Sequence, residues 1–237
     1  MDRRRRLVFL TGAGISAESG LPTFRGMGGL WENQPVEQVA SPAAWARDPA
    51  LVLRFYNERR RQVLRAEPNA AHRTIQNLER DFDVWVITQN VDDLHTRAGS
   101  SRVLHLHGEI RKSRSTRDPR LIYPIEGSEL ELGQLCELGS QLRPHIVWFG
   151  EPVPEIPQAI QWVQSADHLI IVGTSLQVYP AAGLLEFAPD ACDILAIDPA
   201  PPPQHAPRTF QHLQCIASIG LPLLASQLRG GRSESHL

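Results

Sequence analysis

The sequence predicts an α/β fold, with a parallel sheet covered by helices on both faces and a small inserted lobe. Short apolar runs alternate with longer polar or amphipathic segments, which is the pattern of a buried parallel sheet. Residues 111–142 lack clear periodicity and are rich in charged residues, serine and glycine, which predicts the lobe. With 237 residues, of which 42% are hydrophobic and 21% charged, the chain can bury the core of one domain.

Six apolar runs predict the strands of the sheet. Each run is short and nearly continuous, as expected for a strand that is buried on both faces. The runs are Leu7–Leu10, Val84–Ile87, Val103–Leu106, His145–Phe149, His168–Val172 and Ile194–Ile197.

Two helices are predicted between the first two strands from their capping residues. Asp48 and Pro49 provide an N-cap and a first-turn proline for a helix over residues 50–66. Asn69 caps a second helix that reaches Glu79. We expect a single domain whose sheet core spans residues 1–25, 70–110 and 145–228, with a helical insertion over 26–69, the lobe over 111–144 and a flexible tail over 229–237.

Charge and cysteine content argue against nucleic-acid-binding, membrane and disulfide-rich classes. The net charge is −2, and the run Arg3–Arg6 is interpreted as a solvated lead into the first strand rather than a binding arm. No apolar stretch reaches the roughly 18 residues of a spanning helix, and no signal-peptide cleavage pattern follows the basic N-terminus. Three widely separated cysteines fit a reducing compartment. We therefore expect a soluble, cytoplasmic monomer.

A glycine-rich motif directly follows the first predicted strand. Gly12 and Gly14 would let backbone N–H groups approach a pyrophosphate, and Ala17 takes the third small position of a dinucleotide fingerprint. On spacing alone, a structural turn is equally compatible. The motif therefore points to a Rossmann-like sheet that binds a dinucleotide.

The residues after this motif indicate chemistry other than hydride transfer. Residues 21–26 contain Pro22, which ends the helix and returns Phe24 and Arg25 toward the glycine loop. An ordinary dehydrogenase helix would instead continue toward a second strand that ends in a ribose-binding acid.

Further motifs follow the later strands in a fixed order. Together with the glycine motif, they resemble the sirtuin family of NAD-dependent protein deacylases over most of the chain. Residues 16–20 and 55–60 are most similar to the bacterial and mitochondrial desuccinylase-deacetylase branch. The further motifs are Gln89-Asn90-Val91-Asp92, Leu104-His105-Leu106-His107-Gly108, Trp148-Phe149-Gly150-Glu151, Gly173-Thr174-Ser175 and Tyr179-Pro180-Ala181-Ala182.

The resemblance implies an enzyme that uses NAD to remove acyl groups from lysine and releases nicotinamide and O-acyl-ADP-ribose. It assigns His107 as the general base and Asn90 as a catalytic ribose contact. It also assigns Asp92 to hold the nicotinamide carboxamide by hydrogen bonds, with help from the Ile15 backbone. By themselves, Asn90 could be an N-cap and Asp92 a helix-terminal carboxylate. Strand alternation would put His105 and His107 on one face.

The remaining cofactor contacts are also implied by the resemblance. Phe24 would shield the reacting ribose carbon, and Arg25 would meet ribose or phosphate oxygens. The alternative for these two residues is a core phenylalanine and a surface arginine. The full cofactor set is Gly12, Ala13, Gly14, Ile15, Glu18, Thr23, Phe24, Arg25, Gln89, Asn90, Asp92, Gly173, Thr174, Ser175, Asp198 and Ala217.

The acyl pocket is expected at Tyr56 and Arg59, which are three residues apart and share one helix face. In the resembling branch this pair lines the acyl pocket, and it can bind the terminal carboxylate of succinyl- or malonyl-lysine. Arg60 or Arg61 would take the place of Arg59 if the helix phase is off by one residue. The alternative to an acyl pocket is a solvated arginine run over residues 59–61 beside a half-buried tyrosine. The peptide is expected to pair with residues Val147, Trp148, Phe149, Gly150 and Glu151 by strand addition, beside Tyr179.

The chain departs from the family pattern in two places. Residues 112–141 contain Cys136 as the single cysteine, with Ser113 and Ser115 where a cysteine pair is usual, so we expect no metal. The lobe would then be held by packing of its apolar residues, which are Leu121, Ile122, Tyr123, Ile125, Leu130 and Leu132. At the segment Ala196-Ile197-Asp198, the family commonly has an asparagine that contacts the adenosine ribose. Asp198 could take over that contact.

Two other functions remain compatible with the sequence. An NAD glycohydrolase or mono-ADP-ribosyltransferase would keep Asn90, Asp92 and His107 without needing an acyl-lysine tunnel. A non-catalytic NAD or ADP-ribose sensor would account for the missing zinc ligands and Ala196, although it would not need a base at His107.

Overall fold

The computed structural model describes residues 3–23, 30–31, 34–201 and 210–230. Its strands are β1 Arg6–Thr11, β2 Leu30–Trp31, β3 Gln34–Pro35, β4 Asp83–Thr88, β5 Val103–His105, β6 Gly108–Ser115, β7 Ile122–Pro124, β8 Leu142–Ile146, β9 His168–Val172, β10 Asp193–Ile197 and β11 Gln211–Leu213. Its helices are α1 Ala13–Ala17, α2 Val36–Val39, α3 Pro42–Arg47, α4 Pro49–Arg65, α5 Ala70–Leu78, α6 Leu94–Arg97, α7 Ile156–Gln164 and α8 Ala217–Gly230, with a 3-10 helix at Ala181–Phe187.

The central sheet has six parallel strands in the order β11-β10-β9-β1-β4-β5. The chain passes from β1 outward through β4 to β5, and then returns to β9 on the other side of β1. The strand order therefore reverses between β1 and β9, where open α/β sheets bind their ligands beyond the carboxyl ends of the strands. Thr11 and Val172 are paired at that point.

Both faces of the sheet are covered, which confirms the predicted fold class. Leu7 and Phe9 point to the face covered by α5 and α8, and Val8 and Leu10 point to the face covered by α7 and the 3-10 helix. All four side chains are fully buried. A nearly continuous apolar run is what a strand with two buried faces requires, because successive side chains alternate between the faces.

The two predicted capping sites are present in the structure. The side chain of Asp48 accepts a hydrogen bond from the Leu51 N–H at 2.8 Å, and α4 begins at the next residue. The Asn69 side chain accepts from the Ala71 N–H at 2.9 Å at the start of α5. Each cap satisfies a backbone donor that has no partner within its helix.

The end of the described chain differs from the predicted tail. Helix α8 continues to Gly230, and the Arg229 guanidinium pairs with Asp81 at 2.8 Å. Residues 229 and 230 are therefore helical, and residues 231–237 lie outside the described part of the chain.

The apolar run at residues 145–149 was predicted to be a strand of the parallel sheet, and this prediction is wrong. Its first two residues end β8, which belongs to a separate antiparallel sheet in the order β7-β6-β8. Ile146 and Trp148 pack against Tyr56 of α4 rather than against the central sheet. An apolar run indicates that a segment is buried, but it does not show which sheet the segment joins.

The small sheet forms the lobe, and only part of the predicted apolar set holds it together. Ile125 and Leu130 are buried against Leu53 of α4. Ile122 and Leu132 are exposed, at 43% and 53% of their surface. The apolar core of the lobe is therefore smaller than the sequence suggests.

Polar contacts with α4 supply the rest of the lobe's attachment. The fully buried Arg60 donates hydrogen bonds to the carbonyl oxygens of Ile110 and Ser128, each at 2.7 Å. Asn57 exchanges two hydrogen bonds with the Leu130 backbone, at 3.0 and 3.1 Å. Burial lowers the pKa of Arg60 to about 10, so the side chain stays charged at neutral pH.

The only cysteine of the lobe lies in a hydrogen-bonded group with two serines. The Cys136 sulfur is 3.1 Å from the Ser140 hydroxyl and 3.4 Å from the Ser115 hydroxyl. The two hydroxyls are 2.8 Å apart. Within the described residues, no group of three or more histidine, cysteine or acidic side chains is placed to hold a metal.

Among the helices of the described residues, none combines the length and the apolar character that are needed to span a membrane.

Candidate functional site

Two glycine loops meet where the strand order reverses. The Gly12 N–H donates to the Val172 carbonyl at 2.9 Å, and the Gly14 N–H donates to the Gly173 carbonyl at 2.8 Å. A Cβ atom on Gly14 would lie 2.6 Å from the Gly173 Cα, and Gly173 has φ +63°. Glycine is thus required for the two loops to pack, in addition to the predicted approach to a pyrophosphate.

A cleft of about 500 Å³ opens above these loops, within the size range of small-molecule sites. It brings together most of the residues predicted from the sequence. Those on its walls are Gly12, Ala13, Gly14, Glu18, Thr23, Tyr56, Arg59, Gln89, Asn90, Asp92, His107, Val147, Trp148, Phe149, Gly150, Glu151, Gly173, Thr174, Ser175, Tyr179, Asp198 and Ala217.

Among the predicted cofactor residues that the structure describes, Ile15 is not one of those lining the cleft. Ile15 is fully buried, and its carbonyl oxygen accepts a hydrogen bond from the Asn69 amide at 2.8 Å. Its N–H donates to the Gly12 carbonyl at 3.2 Å. Phe24 and Arg25 lie outside the described residues.

Asn90 is not a helix cap, contrary to one of the two expectations for it. The helix that follows begins at Leu94. The Asn90 amide nitrogen donates to the Gly12 carbonyl at 3.0 Å and to the Ser16 hydroxyl at 3.1 Å. Both amide hydrogens are thereby committed, so the side-chain oxygen is the atom that can accept from a ribose hydroxyl.

Asp92 lies before this helix rather than inside it. Its carboxylate accepts from the Ser16 hydroxyl at 2.9 Å and from the Leu94 N–H at 3.1 Å. Burial raises the pKa of Asp92, and these hydrogen bonds act in the opposite direction. Ser16 therefore joins Asn90 and Asp92 in one network, a link that the sequence analysis missed although Ser16 belongs to the glycine motif.

His107 has the geometry of a general base. Its Nδ1 lies 2.9 Å from the Gln89 carbonyl oxygen, so Nδ1 carries the hydrogen and Nε2 is left with its lone pair. Burial lowers the pKa of His107 below its ordinary value, more than the bond to Gln89 raises it. The imidazole is therefore neutral at pH 7.

The expected alternation of the two histidines does not hold, because β5 ends at His105. His105 donates instead to the Asn90 carbonyl at 3.3 Å and is not among the cleft residues. Gly108 follows with φ +84°, and a Cβ there would lie 2.1 Å from the His145 carbonyl oxygen. The glycine after His107 is thus fixed by the close passage of β8.

Tyr56 and Arg59 both line the cleft. Tyr56 is fully buried and Arg59 is 6% exposed. The Trp148 indole N–H donates to the Tyr56 hydroxyl oxygen at 3.0 Å. Burial raises the pKa of Tyr56, so the phenol stays protonated. Arg59 is the member of the arginine run that reaches the cleft, because Arg60 holds the lobe and Arg61 pairs with Glu58 and Glu129 at the surface.

The segment 147–151 uses most of its backbone donors within the molecule. The Val147 N–H donates to the His107 carbonyl and the Phe149 N–H to the Ala40 carbonyl, both at 3.0 Å. Glu151 accepts from the Trp148 N–H at 2.9 Å, so its carboxylate is bound within the segment rather than directed to a peptide. Pairing with a peptide here would depend on the carbonyl groups of the segment.

Residues predicted to contact the cofactor also have contacts within the protein. The Gln89 amide donates to the Thr174 hydroxyl at 3.1 Å. Glu18 accepts from both the N–H and the hydroxyl of Ser218 at the start of α8. Asp198 accepts from the Ala200 N–H at 2.9 Å in the turn that follows β10.

These features define a dinucleotide-binding α/β protein with a potential base in its cleft. They are the paired glycine loops, the reversal of strand order and the half-buried imidazole of His107. The model of the Sir2 family matches residues 12–180, which is more than half of the chain. The chain belongs to the Sir2 family, as the motifs predicted.

Curated relatives are similar over almost the whole length. An NAD-dependent protein deacylase of Bacteroides thetaiotaomicron is 52% identical over 229 residues, covering 94% of this chain and 98% of the relative. One from Helicobacter pylori strain 26695 is 54% identical over 212 residues, covering 90% of this chain and 91% of the relative.

Solved structures share the fold. A Sir2 homologue in complex with NAD has a TM-score of 0.86 at 40% identity, covering 96% of this chain and 91% of the other. A Sir2 protein with a p53 peptide and NAD has a TM-score of 0.79 at 32% identity, covering 97% and 95%. These two complexes contain the ligand types that the cleft was predicted to hold.

Proposed function

We propose that the chain is an NAD-dependent protein lysine deacylase that releases nicotinamide, free lysine and O-acyl-ADP-ribose. One observation carries this function. Its support is that Asn90, His107, Tyr56, Arg59 and Trp148 all line one cleft. A dinucleotide sensor would need neither the base nor the pocket. The names of the curated relatives agree with this assignment.

The chemistry of the cleft fits NAD. The hydroxyls of Thr174 and Ser175 on the cleft wall offer donors to a pyrophosphate. The N–H groups of Gly12, Gly14 and Gly173 already donate to carbonyl groups within the protein. Asp198 and Ala217 line the wall formed by β10 and α8. We propose that the adenosine lies there, because the residues assigned to catalysis follow β4 and β5 on the opposite side of the loops. When bound, NAD supplies the ribose that loses nicotinamide and accepts the acyl group.

The chain's own residues perform the remaining tasks. Asp92, held by Ser16, accepts hydrogen bonds and can orient an amide of the nicotinamide type. Asn90 accepts from a ribose hydroxyl through its side-chain oxygen. His107 takes a proton from a ribose hydroxyl at Nε2, and its hydrogen bond to Gln89 holds the ring in the required tautomer.

We further propose that the pocket favours acyl groups that end in a carboxylate. A buried guanidinium and a buried phenol can both donate to such a group, and Arg59 and Tyr56 face the same cleft. A hydrogen bond to a charged group is worth about 1.5–3 kcal/mol, which an acetyl group cannot use.

The proposal includes activity without a structural zinc and a cytoplasmic location. The hydrogen bonds of Arg60 and Asn57 connect the lobe to α4 without a metal. The cysteines of the chain are free thiols, which supports a reducing compartment.

Comparison of acetyl- and succinyl-lysine peptides of one sequence tests the acyl preference. The purified protein and NAD should remove succinyl at least as fast as acetyl. Removal of acetyl without succinyl would leave a plain deacetylase.

A further inference from the structure

Arg143 occupies a buried position in contact with Trp148 and Glu151, two residues that line the cleft. It belongs to β8, and its side chain is 9% exposed. The guanidinium carbon lies 3.3 Å from the centre of the Trp148 ring, which is a close cation–π stack. Trp148 is itself 2% exposed, and the centre of its ring lies 5.8 Å from that of Trp45 and 6.5 Å from that of Tyr56.

The same guanidinium makes a two-pronged ion pair with Glu151. Its two terminal nitrogens donate to the two carboxylate oxygens at 2.6 and 3.0 Å. Arg114 adds a bond at 3.1 Å, and the Trp148 N–H adds one at 2.9 Å. Burial raises the pKa of Glu151, but these bonds, above all those from Arg143, hold it below its usual value. The carboxylate is therefore ionised at neutral pH.

The turn between Trp148 and Glu151 is closed by these contacts. The Glu151 N–H donates to the Trp148 carbonyl at 3.0 Å, and Gly150 has φ +90°. The Arg143 side chain thus fixes the ring at one end of the turn and the carboxylate at the other. At its far edge the ring donates to Tyr56, which faces the proposed acyl group.

We propose that Arg143 is a positioning residue for acyl-lysine recognition, acting through Trp148 and Glu151 rather than touching substrate. This inference rests on the proposed deacylase function. The simultaneous stack and two-pronged pair require a planar fork, which lysine does not have. Misplacement of a substrate-binding wall by about 1 Å can cost up to ~10²-fold in rate.

Three variants separate positioning from simple charge balance. Arg143→Met removes the stack and the ion pair, and Arg143→Lys keeps the charge without the planar fork. Arg114→Met is the matched control, because Arg114 also binds Glu151 but makes no described ring contact with Trp148. KM and kcat are measured with acyl-lysine peptides, and affinity for ADP-ribose is measured separately.

Arg143→Met should raise the peptide KM by about 10- to 100-fold, with kcat within about threefold of the parent and ADP-ribose affinity unchanged. Arg143→Lys should lie between the parent and the methionine variant, and Arg114→Met should change KM less than either. An Arg143→Met effect no larger than that of Arg114→Met would overturn the proposal, as would a loss confined to kcat.

Hydrogen exchange in the substrate-free protein provides a readout that does not need activity. The amides of Trp148 and Glu151 should exchange faster in both Arg143 variants than in Arg114→Met. If Arg143→Met fails to fold, parent-like exchange and parent-like KM in Arg143→Lys would overturn the inference. A parent protein that does not turn over acyl-lysine would contradict the proposed function, and the exchange rates would still decide the role of Arg143.

Discussion

At the residue scale, His107 is set up by one backbone carbonyl and by burial. The carbonyl of Gln89 fixes the tautomer, and burial favours the neutral ring. Sequence alone identified His107 by its place in a family motif. It could not give the tautomer, because the acceptor is a backbone group 18 residues away that only the fold brings near.

Replacement of His107 by alanine should separate binding from chemistry. We expect ADP-ribose affinity to be retained and deacylation to fall by about 10²–10⁴-fold, because proton transfer is lost. His105→Ala is the matched control, since His105 also donates to a backbone carbonyl but does not line the cleft. Equal losses in the two variants, or near-parent activity in His107→Ala, would contradict the role of His107 as base.

The same residue predicts a direction for the pH profile. The neutral imidazole is the active form, so activity should rise with pH through the pKa of His107 and then level off. Because burial lowers that pKa, the acid limb of kcat/KM should have its midpoint below the ordinary histidine value of about 6.5. A midpoint clearly above 6.5 that is unaffected by His107→Ala would assign the limb to another group.

Arg59 is expected to decide acyl preference. Arg59→Met should raise KM for succinyl-lysine by about one to two orders of magnitude and spare acetyl-lysine, because only the succinyl carboxylate uses the charge. Arg61→Met, on the same helix but paired at the surface, should change neither KM. Equal losses on both acyl groups in Arg59→Met would show a structural role instead.

At the element scale, α4 supplies two sites from successive residues. Arg59 reaches the cleft, whereas Arg60 turns to the lobe and satisfies three acceptors, on Ile110, Asn57 and Ser128. The helix and its cap were predictable from Asp48 and Pro49. The carbonyl partners of Arg60 on Ile110 and Ser128 were not, because they lie 50 and 68 positions away in the sequence.

Stability measurements should distinguish Arg60 from Arg61. Arg60→Met should lower the free energy of unfolding by about 3 kcal/mol or more, because it leaves buried acceptors without a charged donor. Arg61→Met should change it far less than Arg60→Met does, as expected for exposed ion pairs. Urea unfolding of both variants, monitored by tryptophan fluorescence, gives the comparison. Similar small effects in both would remove Arg60 as the anchor of the lobe.

The same unfolding measurement tests the expected absence of zinc. A strong chelator should leave the curve of the parent protein unchanged, and elemental analysis should find no stoichiometric zinc. About one zinc per chain, together with a chelator-induced loss of stability, would show that ligands had been missed.

At the scale of the whole molecule, the parallel sheet and its ligand edge followed from apolar runs and glycine loops. The error at residues 145–149 arose because an apolar run does not specify its partner strand. The contact between Gly14 and Gly173 likewise joins residues distant in sequence, and only the strand order β9-β1-β4 explains it. That order places the glycine loops, His107, Tyr56 and Arg59 around one cleft.

Product identity tests the central claim most directly. The protein, NAD and a succinyl-lysine peptide are mixed and the products are quantified by mass spectrometry. We expect nicotinamide, unmodified lysine peptide and O-succinyl-ADP-ribose in equal amounts, with little NAD consumed when the peptide carries free lysine. Free ADP-ribose formed at the same rate with or without the acyl group would instead identify an NAD glycohydrolase.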